Sequence, residues 1–241
     1  GGTVTTAWST RRVGVSLVVI LVTCVAAALA LFPRALPIVS LKQNLTPALA
    51  RAVADSFAAA HALPRDGSRT AVRFQGDDDV QTYLDFEGGA DTVRAVVGGR
   101  DHALYTWVVR RFTPGEARET RVMIAPDGRV LGFERRLADS TKRPALAVDS
   151  AQRLAEQVRT EWLGEGADRW RLASQSYDTK AGSGRVDRTF TFERADRQLI
   201  AAPLRLVITI GGDVPTAARR RAAVPEAFQR RYGEMRSANT Q

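Results

Sequence analysis

Three patterns of apolar and polar positions follow one another along this chain. The first is VGVSLVVILVTCVAAALALF, Val13 to Phe32, with no charge in it. As a helix rising 1.5 Å per residue it would span about 30 Å, the thickness of a hydrocarbon core. Arg11 and Arg12 bound it on one side and Pro33 and Arg34 on the other, while Trp8 stands where an interfacial aromatic belongs. The pattern predicts a transmembrane anchor over residues 13–32, retained despite the A-x-A step at Ala28-Leu29-Ala30. The arginine pair beside the short tail, residues 1–12, orients that tail to the cytoplasm. The main domain is then expected in the periplasm, anchored by one pass through the inner membrane.

The second pattern is helical periodicity, and it occurs at the start of each half of the body. Thr46 is an N-cap with Pro47 at the first helical position. PALARAVADSFAAAHAL then places Leu49, Val53, Ala54, Phe57 and Ala60 or His61 on one face, until Pro64 and Gly67 end it. Later, Asp149 and Gln152 form a capping-box pattern ahead of SAQRLAEQVRTEWLG. Ala151, Leu154, Val158 and Trp162 share the core face there, and Gly164 is a C-cap. VPEAFQRRYGEMRSAN, opening with Pro225, predicts a last helix with Val224, Phe228 and Tyr232 at i, i+4, i+8.

The third pattern is strand-like. AVRFQ, VQTYLDFEG, LYTWVVRRF, ETRVMIAP and RVLGFERRL follow the first helix, with Pro126-Asp127-Gly128 as a tight turn and GADTVRAVVGG as a short helix. WRLASQSYD, RVDRTFTFER and LRLVITIGG follow the second, with AGSG as a hairpin loop. The expected class is α+β: one N-terminal transmembrane helix, a linker over 33–45, and two helix-plus-antiparallel-meander units over 46–143 and 144–241.

Composition changes this picture little. The chain is 44% hydrophobic and 25% charged, enough to bury a core. Its net charge is +9, and Lys42, Lys142 and Lys180 are its only lysines, so the basic character is almost all arginine. Cys24 is the single cysteine, which excludes an internal disulfide. His61 and His102 are the only histidines, and no HExxH, CxxC, G-x-S-x-G or S-x-x-K pattern occurs. Neither histidine is read as catalytic; each is expected in a surface or cap role. Asp77-Asp78-Asp79 reads as a solvated strand-entry loop, because consecutive aspartates do not alternate as calcium ligands do. No catalytic residue, cofactor or metal is therefore expected, and the chain is read as a non-enzyme.

The strongest remaining feature is basic. Arg219, Arg220, Arg221, Arg230, Arg231 and Arg236 fall near the end of the chain, where they read as a tail for lipid headgroups or an acidic partner. No reader motif for nucleic acid accompanies them.

FPRALPIVSL, DDDVQTYLDFEGG, LYTWVVRRFTPGEARET, GRVDRTFTFER and VPEAFQRRYGEMRSAN together resemble the extracytoplasmic domain of bacterial CPBP-type intramembrane metalloproteases. In that family the domain lies between the first membrane helix and a protease bundle that carries the paired glutamates and metal-binding histidines. No such motif stands in this sequence, so the resemblance implies an accessory domain and carries over no catalytic residue. The chain is also similar to membrane-extrinsic subunits of bacterial photosynthetic reaction-centre and light-harvesting complexes. That likeness implies a scaffold among membrane-protein subunits and the bilayer. A split protease and a ligand-binding sensor are the competing expectations.

Overall fold

In a computed structural model, residues 15–27, 45–64, 67, 69–98, 100 and 102–238 are described. Trp8, Arg11, Arg12, Arg34 and both ends of the 13–32 segment lie outside them. What is described of that segment is helix α1, residues 15–27, in a compact unit separate from the body. Among the described residues no helix is long and apolar enough to cross a membrane.

The expected architecture of a transmembrane helix followed by two helix-plus-meander units is thereby corrected. The body is one eight-stranded antiparallel sheet in the order β1-β2-β3-β4-β8-β7-β6-β5. The strands are β1 (Arg69–Gly76), β2 (Tyr105–Phe112), β3 (Glu119–Ile124), β4 (Val130–Arg136), β5 (Trp170–Thr179), β6 (Val186–Leu199), β7 (Ala202–Gly211) and β8 (Val214–Ala222). Helices α2 (Pro47–Ala60) and α4 (Val148–Leu163) lie on its core face, α2 over β1–β4 and α4 over β6–β8. Helix α3 (Asp78–Gly98) follows β1, and α5 (Glu226–Ala238) ends the body.

Small side chains let the helices approach the sheet. Ala50 and Ala54 of α2 rest on Trp107, Val109, Val122 and Ile124, with Val53 and Phe57 packed beside them. The buried stripe therefore runs through alanine, and Leu49, expected inward, is 51% exposed. In α4 the buried positions are likewise Ala151 and Ala155. Strands β6 and β7 send Phe190, Phe192, Leu206, Ile208 and Ile210 to this face, each almost fully buried.

Two expectations about local structure are also corrected. VQTYLDFEG is helical, the first half of α3, which kinks where Gly89 takes φ 71°. Read at helical rather than alternating spacing, the segment makes sense: Val80, Tyr83 and Leu84 are buried together. Asp77 is no loop residue but the cap of this helix, its Oδ1 accepting from the Val80 N–H at 3.3 Å. The second correction is β8, which falls in a stretch read as a basic tail. It is a central strand, paired with β4 on one side and β7 on the other. Gly212-Asp213 forms a two-residue hairpin into it, with Gly212 at φ 69°.

The two halves of the sheet meet only where β4 pairs β8, through Gly132↔Arg219, Phe133↔Ala218 and Glu134↔Ala217. A Cβ on Gly132 would stand 2.7 Å from the Ala218 carbonyl oxygen and 3.1 Å from the Arg219 Cα. Both are backbone atoms and cannot swing away. Under the seam, Phe133 meets Phe57 of α2 and Trp162 of α4, with ring centroids 6.0 and 5.8 Å away. Phe57 and Trp162 meet edge-on at 5.6 Å, so one aromatic cluster ties both helices to the joint. Gly132→Ala should cost about 1–3 kcal/mol and lower Tm by roughly 5 °C in a circular-dichroism melt. Gly166→Ala, where the added Cβ meets nothing within 4 Å, should leave Tm unchanged.

Candidate functional site

Cross-strand partners share a face of a sheet, so the pairing alone identifies the side turned away from α2 and α4. That side carries Arg73 of β1, Arg110 of β2, Arg121 of β3, Glu134 of β4, Arg219 and Arg221 of β8, and Arg205 of β7. A groove of about 810 Å³ runs over it from Ala71 to Arg221. Val108, Met123 and Leu131 give the groove an apolar floor, and Asp77, Asp78 and Asp79 stand among its lining residues.

A chain of ion pairs organises the arginines. Arg110 and Arg121 are directly opposite in the ladder, a like-charge pair that would repel by itself. Glu119, buried at the end of β3, resolves this by binding both. Arg110 Nε donates to its carboxylate at 2.6 Å. Arg121 also reaches Glu134 at 4.0 Å, and Arg219 donates to Glu134 at 3.4 Å. On β7, Arg205 Nε donates to Glu193 at 2.7 Å. Arg221 has no acidic partner among the described residues. Burial lowers its pKa, and Arg205 and Arg219 on either side lower it further. Positive charge is therefore concentrated over the strands, where Arg73, Arg110, Arg121, Arg205, Arg219 and Arg221 outnumber Glu119, Glu134 and Glu193, while Asp77, Asp78 and Asp79 gather negative charge at one end of the groove.

The six arginines expected to act together are divided by the fold. All three residues border the groove, but alternation along the strand turns the Arg219 and Arg221 side chains to its face and the Arg220 side chain to the other, opposite Leu206. Arg230, Arg231 and Arg236 lie on α5 and line no part of the groove. Arg231 is bound to Glu87 of α3 and covers the Phe228 ring at 5.6 Å. Phe228 is buried against Tyr83 at 5.1 Å and Tyr232 against Phe86 at 5.3 Å, so α5 spends its apolar face on α3. Arg73, Arg110, Arg121 and Arg205 were not singled out in the sequence. Their signal is period two: arginine alternates with a core-facing residue in RTAVRFQG, YTWVVRRF and ETRVMI.

His102, expected at the surface or in a cap, is 8% exposed, with Nε2 at 3.6 Å from Asp77 Oδ2. His61 stays exposed and lies against the Phe57 ring, centroids 4.2 Å apart. Among the described residues no group of three or more His, Cys, Asp or Glu side chains is placed to hold a metal ion. Comparison with protein-family models, with curated proteins and with solved structures finds no match. Geometry alone therefore carries the functional reading.

Glu119→Gln should leave two adjacent guanidinium groups without their shared anion. The expected loss is about 1–3 kcal/mol in urea unfolding. Glu116→Gln, which removes only the exposed pair with Arg118, should cost less than about 0.5 kcal/mol.

Proposed function

We propose that this chain is a non-catalytic accessory domain that holds an acidic protein partner in a larger assembly. The partner docks on the groove across β1–β4 and β8. One observation carries this reading: the sheet face away from α2 and α4 bears arginines at alternate positions of its strands, with more positive charge than its own carboxylates offset. Displaying that much exposed and half-exposed arginine on a sheet face gains nothing for the core, but suits recognition of carboxylates by guanidinium forks.

The mixed charge favours a protein over other anions. Glu119, Glu134 and Glu193 are interleaved with the arginines, and three aspartates stand at one end. A phosphate backbone or an anionic bilayer offers one sign only and would meet repulsion at each of these. A protein surface supplies both signs and apolar groups for Val108, Met123 and Leu131. The reading keeps the partner-holding role drawn from the sequence and leaves its transmembrane anchor behind.

The test is binding of the full chain to a fluorescent peptide of alternating Glu and Leu, followed by anisotropy. Affinity should fall as salt rises. Arg219→Glu with Arg221→Glu should weaken it about tenfold or more, while Arg230→Glu should leave it unchanged. Equal binding by the groove double variant would overturn the reading. So would tighter binding to phosphatidylglycerol vesicles or to duplex DNA than to the peptide.

A further inference from the structure

Arg220 poses a separate problem, on the opposite face of β8 from the groove. Its Nε is shut off from solvent and has no hydrogen-bond partner. The charged groups acting on it are Arg129 and Arg194, both cations, and together with burial they lower its pKa. The residue as a whole is half-buried, and a partly desolvated charge without a counter-charge is costly.

The acids nearby are already engaged. Asp196 accepts from Arg194 Nε at 2.8 Å and meets Arg169 at 3.9 Å. Asp127 accepts from Arg129 Nε at 2.7 Å. Arg100, Arg194 and Arg220 line a cavity of about 160 Å³, with Trp170, Leu163 and Gly166 completing its wall. Arg159 donates to the Trp170 carbonyl at 2.5 Å and steadies that wall. The space is large enough for a tetrahedral oxyanion.

We propose that this cavity is a binding site for a phosphate group, held by Arg100, Arg194 and Arg220. A planar carboxylate presents two oxygens in one plane. Three arginines drawn from three separate parts of the chain line the cavity, which suits the several oxygens and the charge of about −1.5 to −2 on a phosphate. The ligand is inorganic phosphate or the phosphate end of a small ester, and it supplies the anion that Arg220 lacks.

The experiment is a thermal-shift and calorimetric titration of the full chain with inorganic phosphate, at ionic strength held constant with chloride. A saturable one-to-one response with a rising Tm is expected, with acetate far weaker. Arg220→Met should start at a higher Tm than the parent, because the uncompensated charge is gone, and should no longer respond to phosphate. Arg100→Gln should start at the parent Tm and bind phosphate about tenfold more weakly. Arg219→Glu with Arg221→Glu should still bind phosphate, which separates this site from the docking groove. Glycerol phosphate binding tighter than phosphate would assign the ester as the source, and weaker binding the free ion. No response beyond that of chloride, an acetate response equal to phosphate, or an Arg220→Met variant that responds like the parent would overturn the proposal.

A different observation concerns the β5 edge of the sheet. Every residue from Arg171 to Thr179 is exposed, Tyr177 at 72%. Strand β5 has neither Lys nor Pro to discourage pairing, and its charges, Arg171 and Asp178, are one of each sign, whereas the opposite edge, β1, carries Arg69 and Arg73 with no acidic residue. A bulge at Ala173 puts Arg171, Ser174, Ser176 and Asp178 on the groove face and Leu172, Gln175 and Tyr177 on the core face.

This pattern is self-complementary about Gln175. Two antiparallel copies related by a two-fold axis there would pair Arg171 with Asp178, Leu172 with Tyr177 and Ser174 with Ser176, each twice and each on a shared face. Arg171 has no ion-pair partner among the described residues. Asp178 lies opposite Asp187 in the ladder and is paired only with Lys180, at 2.6 Å, so a second cation would be welcome. We infer that β5 pairs with β5 of a second copy, joining two sheets edge to edge.

Analytical ultracentrifugation of the full chain over a range of concentrations tests this. A monomer–dimer equilibrium is expected. Arg171→Asp alone and Asp178→Arg alone should each shift it to monomer, and the double swap should restore the dimer. In a Cys24→Ser background, Gln175→Cys should cross-link across the axis on oxidation. A parent chain that stays monomeric, or a double swap no better than either single change, would sink the inference.

Discussion

Everything in the body depends on the short contact between β4 and β8. Strands β1 to β4 lie on one side of it and β5 to β8 on the other, and either set alone would leave a further long unpaired edge. Pairing those edges removes two of the four and buries the joint. Only three residue pairs do this, so each must approach closely. Gly132 on one side and Ala217 and Ala218 on the other are small for that reason. The aromatic cluster of Phe57, Phe133 and Trp162 then fixes the angle between halves from below. Glu134, bridging Arg121 and Arg219, fastens the seam from above.

The seam also determines where chemistry is possible. Because β8 is central, its arginines cannot all reach solvent on one side. Alternation sends Arg219 and Arg221 to the open face and Arg220 under the sheet. One run of three identical residues thus serves two surfaces about one strand thickness apart. Neither surface is legible in a linear reading, where the three are simply a basic cluster.

Much of the local structure was legible. Helix α2 begins at the Thr46 cap, whose hydroxyl accepts from the Leu49 N–H at 3.3 Å. The Pro126-Asp127-Gly128 turn forms, with the Gly128 N–H donating to the Ala125 carbonyl at 2.9 Å. These signals are short-range, and short-range chemistry decides them. What failed depended on distant residues. Strand β8 reads VPTAARRRA, poor in β-branched residues, and becomes a strand because β4 and β7 are waiting on each side. VQTYLDFEG has strand-like residue types, yet Tyr83 and Phe86 are claimed by α5, more than 140 positions on. On α2, Val53, Ala54 and Phe57 face inward as expected, while Ala50 takes the place expected for Leu49 because alanine permits the close approach to Trp107 and Val109.

A central strand carrying Ala-Ala-Arg-Arg-Arg-Ala needs a reason beyond stability. The α4 side of the same sheet shows what a core-forming strand looks like here: β7 alternates Leu204, Leu206, Ile208 and Ile210, all almost fully buried. Valine or isoleucine at 219 and 221 would suit strand propensity better, and leucine at 220 would bury more apolar surface next to Leu206. The arginines forgo both gains. On the open face, part of the loss is offset by Glu134; under the sheet nothing among the described residues offsets it. Where a fold retains charge at its most structurally demanding position, departure from the stability optimum is itself the argument for a ligand. Here the departure is largest at Arg220, which is why both proposed binding sites are drawn from the strand that joins the two halves.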